Sequence, residues 1–254
     1  MNTSLPEPEL RPLGVDGILV RFARTLTEAA NARALAFCEQ AKNASIAGVT
    51  EVASSLVSVR VGFDPHVTNR NSVTQAVTKL LASEQATQNS PKRLWRIPVA
   101  FGPTYAPQLG EVAALAGLTP EQAVAEVEAT TVRVIAIGFA PGQPYLGMLP
   151  SNWNVPRQSN LTDSLPRGAL ICAVRQLIIW AAEAPTGWRH IGQTAFRVYL
   201  PEATDPFALE PGDAVQFSAV SDSDFRDIEA NTDTNGGATC EVPIRGPLGG
   251  AEAG

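Results

Sequence analysis

Apolar positions along the chain change their spacing several times, and each spacing predicts an element. Gly17-Ile18-Leu19-Val20-Arg21-Phe22 is a short apolar run of strand type. From Thr27 to Lys42, Ala30, Ala34, Phe37, Cys38 and Ala41 recur every three or four positions, which makes one face of an amphipathic helix; Gly48 closes the segment. Val49 to Ala53 and Leu56 to Val61 predict two strands, the second alternating Leu56, Ser58 and Arg60 against Val57, Val59 and Val61. Asp64-Pro65 breaks the pattern. Ser72 with Gln75 reads as a capping box opening a helix that carries Val73, Val77, Leu80 and Leu81. The order β-α-β-β-α predicts two helices on one face of a small antiparallel sheet.

The polar stretch 82–92 places a domain boundary near residue 90. Beyond it, Leu94 to Phe101 predicts a strand and Leu109 to Ala116 a helix. Thr119-Pro120-Glu121-Gln122 is a strong helix start, with a Thr cap, Pro at the first helical position and Gln three residues after the cap. Val132 to Phe139 is β-branched and apolar, hence a buried strand. Short strands then follow at 169–174, 176–182, 195–200 and 213–219, divided by Pro and Gly, as in a barrel or sandwich. The predicted organisation is a loose Pro/Glu-rich arm over 1–14, an α+β domain over 15–90, a β-barrel domain over 91–228 and a flexible Gly-rich tail over 229–254.

Composition narrows the function. Hydrophobic residues make up 44% and charged residues 17% of 254, enough for packed cores. A net charge of −6 with no Lys/Arg cluster argues against nucleic acid. Cys38, Cys172 and Cys240 are far apart, and with only His66 and His190 beside them no metal site is expected. The N-terminus has no signal-peptide pattern and no apolar run approaches a membrane span, so a soluble cytoplasmic protein is expected.

Three segments could carry chemistry. Gly138-Phe139-Ala140-Pro141-Gly142-Gln143-Pro144-Tyr145-Leu146-Gly147 follows directly on a buried strand. Its prolines and glycines dictate a shape that suits converging backbone N–H groups, or equally a rigid barrel corner. Ala184 to Thr194 places Trp188 beside Gly187, either as a pocket wall or as a core plug; His190 lacks a neighbouring carboxylate and reads as a hydrogen-bonded, partly buried residue. Gln176 opens an apolar strand, and Arg157, after Pro156, could clamp an anion or form a surface salt bridge. Walker A, H-E-x-x-H, G-x-S-x-G and dinucleotide-binding patterns are absent.

Taken in order, these segments resemble the carboxyltransferase-domain C/D family, whose members include the B-type subunit of 5-oxoprolinase, allophanate hydrolase subunit 1, the Kip-type kinase inhibitor and a domain of urea carboxylase. The likeness runs from about Gly14 to Phe225. It rests on Asn31, Gly48-Val49, Glu51-Val52 and Asp64-Pro65, on Ile137 to Pro150, on Val155-Pro156-Arg157, on Trp188 with Ile191-Gly192 and Thr194, and on Leu209 to Phe217. Phe139-Ala140-Pro141-Gly142 is its most specific block.

The resemblance implies an N-terminal ferredoxin-like domain and a C-terminal cyclophilin-like barrel. It implies a hetero-oligomer with a C-type partner subunit and a third subunit, and ATP-dependent opening of 5-oxoproline to glutamate. Phe139, Pro141, Gly142, Tyr145, Arg157, Gln176, Gly187, Trp188 and His190 are the expected substrate-binding residues, in a barrel pocket with Trp188 on the wall opposite the Phe139 loop. No catalytic residue is assigned. The chain departs from the family pattern at Gln108 (usually Asp), Val127 (usually His), Gln143, Val174 to Trp180 and Gln193 (usually Arg). Losing a carboxylate and an imidazole removes proton-transfer groups. A binding or regulatory module, in the manner of the kinase inhibitor, is therefore the competing expectation. Cys240 to Leu248 looks like the opening strand of the family's C-type subunit.

Overall fold

The computed structural model describes residues 6–83, 91–231 and 233–242. The first half runs β1 (Glu9–Leu13), β2 (Gly17–Arg21), α1 (Glu28–Asn43), β3 (Val49–Ser55), β4 (Ser58–Phe63) and α2 (Arg70–Ala82). Its strands form an antiparallel sheet in the order β1-β2-β4-β3. Strand alternation sends Ile18, Val20, Val59, Val61 and Phe63 to one face, where they bury Ala34, Phe37 and Ala41 of α1 and Val73 and Val77 of α2. Thr27 caps α1 by accepting from Ala30 N–H at 3.2 Å.

Two expectations for this half need correction. Residues 9–13 are not part of a loose arm: they pair with β2 from Glu9↔Arg21 to Leu13↔Gly17. The Glu9 carboxylate accepts from Arg11, Arg21 and Arg24, which holds its pKa down at about 2. Two prolines hid this strand: Pro8 precedes it, and Pro12 lies within it, where an edge strand tolerates the missing N–H. The second helix is capped by Asn69, not Ser72. The Asn69 side chain accepts both the N–H and the hydroxyl of Ser72, at 3.0 and 3.2 Å, so the helix starts one turn earlier.

The second half contains β5 (Leu94–Ala100), α3 (Leu109–Ala116), α4 (Pro120–Ala129), β6 (Val132–Ile137), β7 (Pro144–Gly147), β8 (Thr162–Leu165), β9 (Ala169–Ala173), β10 (Gln176–Ile179), β11 (Ala184–Thr186), β12 (Arg189–Gln193), β13 (Ala214–Val220), α5 (Asp222–Ala230) and β14 (Thr239–Glu241). Seven strands close a barrel in the order β12-β9-β10-β7-β6-β13-β5, with β5 returning to β12 through Ala100↔Gln193. β14 covers the other end of the same edge of β5, and β8 with β11 makes a separate two-stranded sheet. The barrel interior holds Ile97, Val99, Val134, Leu146, Leu170, Leu177, Ile191 and Phe217, joined by Val112 of α3 and Val127 of α4. Thr119 and Gln122 form the expected capping box of α4.

Residues 195–200 are not a strand; they hold only the bridge Tyr199↔Phe207. Asn235 explains why: its carboxamide takes both the N–H and the C=O of Arg197, each at 2.9 Å, which a ladder would otherwise use. The segment expected to be a tail contributes the last two residues of α5 and all of β14, while residues 243–254 lie outside the described residues, as does the boundary placed near residue 90. No described helix is long and apolar enough to cross a membrane.

Asn31 ties the halves together. It is buried, and its Nδ2 donates to Leu56 O at 2.6 Å and to Ile135 O at 3.0 Å. Ile135 sits where β6 and β7 slip register, so its carbonyl has no place in that ladder. Replacing Asn31 by Ala leaves two carbonyls without this donor; we expect a loss of about 2–4 kcal/mol by urea unfolding. The depressed Glu9 pKa gives a second expectation. Its stabilising contribution is complete above the ordinary carboxylate range and is lost as pH falls toward 2. Melting temperatures of wild type and Glu9→Gln measured from pH 6 downward should therefore converge near pH 2.

Candidate functional site

The wall formed by β7, β10, β9 and β12 is apolar on both faces. Leu170, Cys172, Leu177 and Ile179 point into the barrel, while Ala169, Ile171, Ala173 and Ile178 point outward and pack with Leu165, Trp180 and Trp188. Pairing register aligns His190, Ile171, Ile178 and Tyr145 in one row across the outer face. The next row runs Ala173, Gln176, Gly147. Tyr145, Gln176, Trp188 and His190, far apart in sequence, thus share the outer face. The barrel interior itself is filled by side chains, so these residues line its outer face.

Gly138 to Gln143 is the hairpin loop joining β6 to β7. It is closed by Gly138 N–H to Gln143 O and Gln143 N–H to Ala140 O, both 3.1 Å. Phe139 has φ +75 and is 73% exposed, and its ring stacks on Trp180 at 5.4 Å. Gly142, at φ +71, approaches the chain so closely that a Cβ would stand 2.6 Å from Val198 O. Pro141 is exposed and fixes the loop's shape. The side-chain Oε1 of the buried Gln143 accepts from Ala181 N–H at 3.4 Å.

Trp188 is held by a chain of carboxamides. Gln108, at the start of α3, accepts from His190 N–H at 2.9 Å and donates to Gln158 Oε1 at 2.9 Å. Gln158 donates to Trp188 O at 3.1 Å, and its own N–H meets Gly187 O at 2.7 Å. A Cβ on Gly187 would meet Gln158 O at 3.4 Å, an ordinary contact, so this approach does not depend on the glycine. Arg157 lies over the Trp188 ring at 5.2 Å, and Tyr145 meets Trp188 edge-on at 6.3 Å. Beside them Arg189 is fixed by Glu111 at 2.8 Å and Pro156 O at 2.6 Å. Burial pushes the His190 imidazole below its usual pKa, so it is neutral at pH 7. Its Nε2 is buried without a hydrogen-bond partner.

The structure therefore brings together Tyr145, Arg157, Gln176, Trp188 and His190, sets Phe139 at the rim through Trp180, uses Pro141 and Gly142 to shape the β6–β7 loop, and engages Gly187 only through its carbonyl. Sequence reasoning missed the contributions of Trp180, Gln108 and Gln158. Trp180 was legible, two residues beyond Ile178 on the same strand face; Gln158, a polar residue in a loop, carried no signal. Trp188 and His190 are buried, Tyr145 and Gln176 half-buried, and Phe139 and Arg157 exposed, so the site opens to solvent along its rim. Among the described residues no three His, Cys, Asp or Glu side chains gather as a metal site.

The match to carboxyltransferase domain, subdomain C and D, spans residues 8–209. The chain belongs to this family. The B-type subunit of 5-oxoprolinase from Bacillus subtilis (strain 168) is 27% identical over 227 residues, covering 85% of this chain and 95% of that protein. The crystal structure of TTHA0988 superposes with a TM-score of 0.70 at 29% identity, over 84% of this chain but only 40% of that one. The Kluyveromyces lactis urea amidolyase shares the fold, with a TM-score of 0.73 at 17% identity, over 92% of this chain and 16% of that one. The chain thus spans less than half the length of these two solved chains and nearly all of the Bacillus subtilis relative.

The β6–β7 loop makes opposite demands on its two glycines, which gives a direct check. Gly142→Ala must strain φ and displace Val198, and we expect about 1–3 kcal/mol of destabilisation by chemical unfolding. Gly138→Ala, where a Cβ meets nothing within 4 Å, should stay within about 0.5 kcal/mol of wild type.

Proposed function

We propose that this chain is a subunit of an ATP-dependent hydrolase complex of the 5-oxoprolinase type. In this reading it binds a small amide or ureido substrate on the outer face of the barrel, and a C-type partner subunit, with a third subunit, completes the site. ATP is a co-substrate of the complex, and the assembly is cytoplasmic. One observation carries the reading: Tyr145, Gln176, Trp188 and Arg157 meet as a shelf on one outer face, furnished for recognition, with Arg157 exposed and Tyr145 and Gln176 half-buried. The Gln176 carboxamide has no side-chain partner among the described residues and lies between the small residues Ala173 and Gly147. A carboxamide offers both donor and acceptor, which matches an amide or ureido group. Arg157 supplies a cation for a carboxylate, and aromatic rings supply the walls. No acid–base pair stands on the shelf, and hydrolytic chemistry needs a water-excluded site. Both point to groups supplied by a covering partner. The name of the Bacillus subtilis relative, the B-type subunit of 5-oxoprolinase, agrees with that arrangement.

A second reading, a regulatory docking module, draws on the same absence of proton-transfer groups and on Phe139, whose exposed ring suits a protein partner. Reconstitution with a C-type homologue and the third subunit separates the two. The enzymatic reading expects ATP hydrolysis that depends on 5-oxoproline, and expects Gln176→Leu to raise KM about tenfold or more with the complex intact. Absence of turnover with 5-oxoproline, allophanate and urea, in a complex that assembles, would leave the docking module as the better account.

A further inference from the structure

The turn that joins β9 to β10 is two residues long, since Ala173 and Gln176 pair directly across it. Both turn residues, Val174 and Arg175, have positive φ, at +46 and +65. Hairpin turns of this shape favour Asn and Gly, and a β-branched residue in them is strained. The segment from Leu149 to Val155 holds the strained shape. Val174 N–H donates to Val155 O at 2.7 Å, Arg175 N–H donates to Trp153 O at 3.0 Å, and Arg175 O accepts from Leu149 N–H at 2.9 Å. Trp153 is fully buried and donates its Nε1 to Glu126 of α4 at 2.6 Å, which anchors that segment. A conformation that turn chemistry disfavours, yet fixed by three backbone hydrogen bonds, points to a demand on what the turn carries.

Arg175 fits that demand. It is half-buried, and its Nε donates to Leu149 O at 2.9 Å, which fixes the guanidinium. Its two Nη groups make no hydrogen bond or ion pair among the described residues. Pairing register sets Trp188, Ala173, Gln176 and Gly147 in one outer-face row, because Arg189↔Cys172 puts Trp188 beside Ala173. The Val174–Arg175 turn closes the end of that row. The segment that holds the turn runs on through Pro156 to Arg157, which lies over the Trp188 ring. One anchored segment thus sets two guanidiniums at the same end of the face, one by Trp188 and one by Gln176. Arg157 has an aromatic ring for a partner, and the Nη pair of Arg175 has nothing. Two N–H groups held in one plane match the two oxygens of a carboxylate or phosphoryl group.

We propose that Arg175 is a specificity-determining residue of the outer face, where it binds an oxyanion of the ligand next to the amide group held by Gln176. This rests on the reading of that face as the substrate site. The oxyanion is the carboxylate of the substrate or a phosphoryl group of ATP, and kinetics separate the two. In the reconstituted complex, Arg175→Gly should raise the KM for 5-oxoproline or the KM for ATP about tenfold, and the one that moves names the source. Its melting temperature should stay within about 4 °C of wild type, because Gly takes up φ +65 freely while the Nε bond is lost. A larger fall would make the arginine a brace for Leu149 and overturn the proposal. Val174→Asn, which eases the other strained position and keeps Arg175, should raise the melting temperature by about 2–4 °C and leave both KM values unchanged. A lower melting temperature for it would show the turn to be unstrained and count against the proposal. If the complex turns over and Arg175→Gly moves neither KM by more than about twofold, the proposal fails and the hydrolase reading stands. If the complex assembles without turnover, the hydrolase reading fails and the chain alone decides, by tryptophan fluorescence titrated with 5-oxoproline and with ATP. Binding that Arg175→Gly weakens about tenfold supports the site; equal binding, or none to wild type, overturns it.

Discussion

The wall of β9 and β10 must be apolar on two faces at once, and most of the second half follows from that. One face closes the barrel core through Leu170, Cys172, Leu177 and Ile179; the other carries Ile171, Ile178 and the small residues Ala169 and Ala173 under two tryptophans. Strands buried on both sides read as unbroken apolar runs. Because side chains alternate, a slip of one residue would exchange the two faces, and Cys172 and Leu177 could not replace the alanines that Trp180 and Trp188 lie against. The register that fills the barrel is therefore the register that puts Tyr145, Gln176 and His190 outside.

Separate segments are then fastened by carboxamides. Asn31 reaches the β3–β4 turn and the bulge of β6; Gln108 and Gln158 link α3, β12 and the Trp188 loop; Asn235 pins Arg197. A carboxamide donates and accepts in one planar group and carries no charge to desolvate. Gln108 uses both capacities, accepting from a backbone N–H and donating to another side chain. A carboxylate at that position could accept from His190 N–H but would face Gln158 Oε1 with a lone pair. Gln108 thus has a structural role here: through Gln158 it holds Trp188 in place.

Much of this was legible in sequence. Helical spacing gave α1 from Ala30 to Ala41, capping chemistry gave α4, and the Pro- and Gly-rich block at 138–147 marked the hairpin whose Gly142 touches Val198. What escaped was non-local. β12 reads as Arg-His-Ile-Gly-Gln, with no alternation, because its bulge at Ile191 and its pairing with α3 residues decide its burial. β1 escaped because an edge strand tolerates the prolines that argue against a central one. The nine candidate residues fall on neighbouring rows and loops, and sequence assigned them to a barrel pocket without telling which face of the sheet carried it. Periodicity tells which residues share a face, and only the closure of the sheet tells which face is outside.

Openness is the property that most constrains the site. A shelf with Phe139 at 73% exposure cannot exclude water by itself, and electrostatic interactions on it are weakened by solvent. Yet its parts are held stiffly: Trp188 between Arg157 and the Gln158 hydrogen bond, Tyr145 against Trp188, Phe139 stacked on Trp180. Stiffness without enclosure is what a rigid half-site offers a second surface, because little conformational entropy remains to be lost when that surface arrives. Had the barrel been built to act alone, the same loops would have had to fold back over Gln176; instead Gly142 and Pro141 turn the β6–β7 loop toward Val198, and Gln176 stays half-buried.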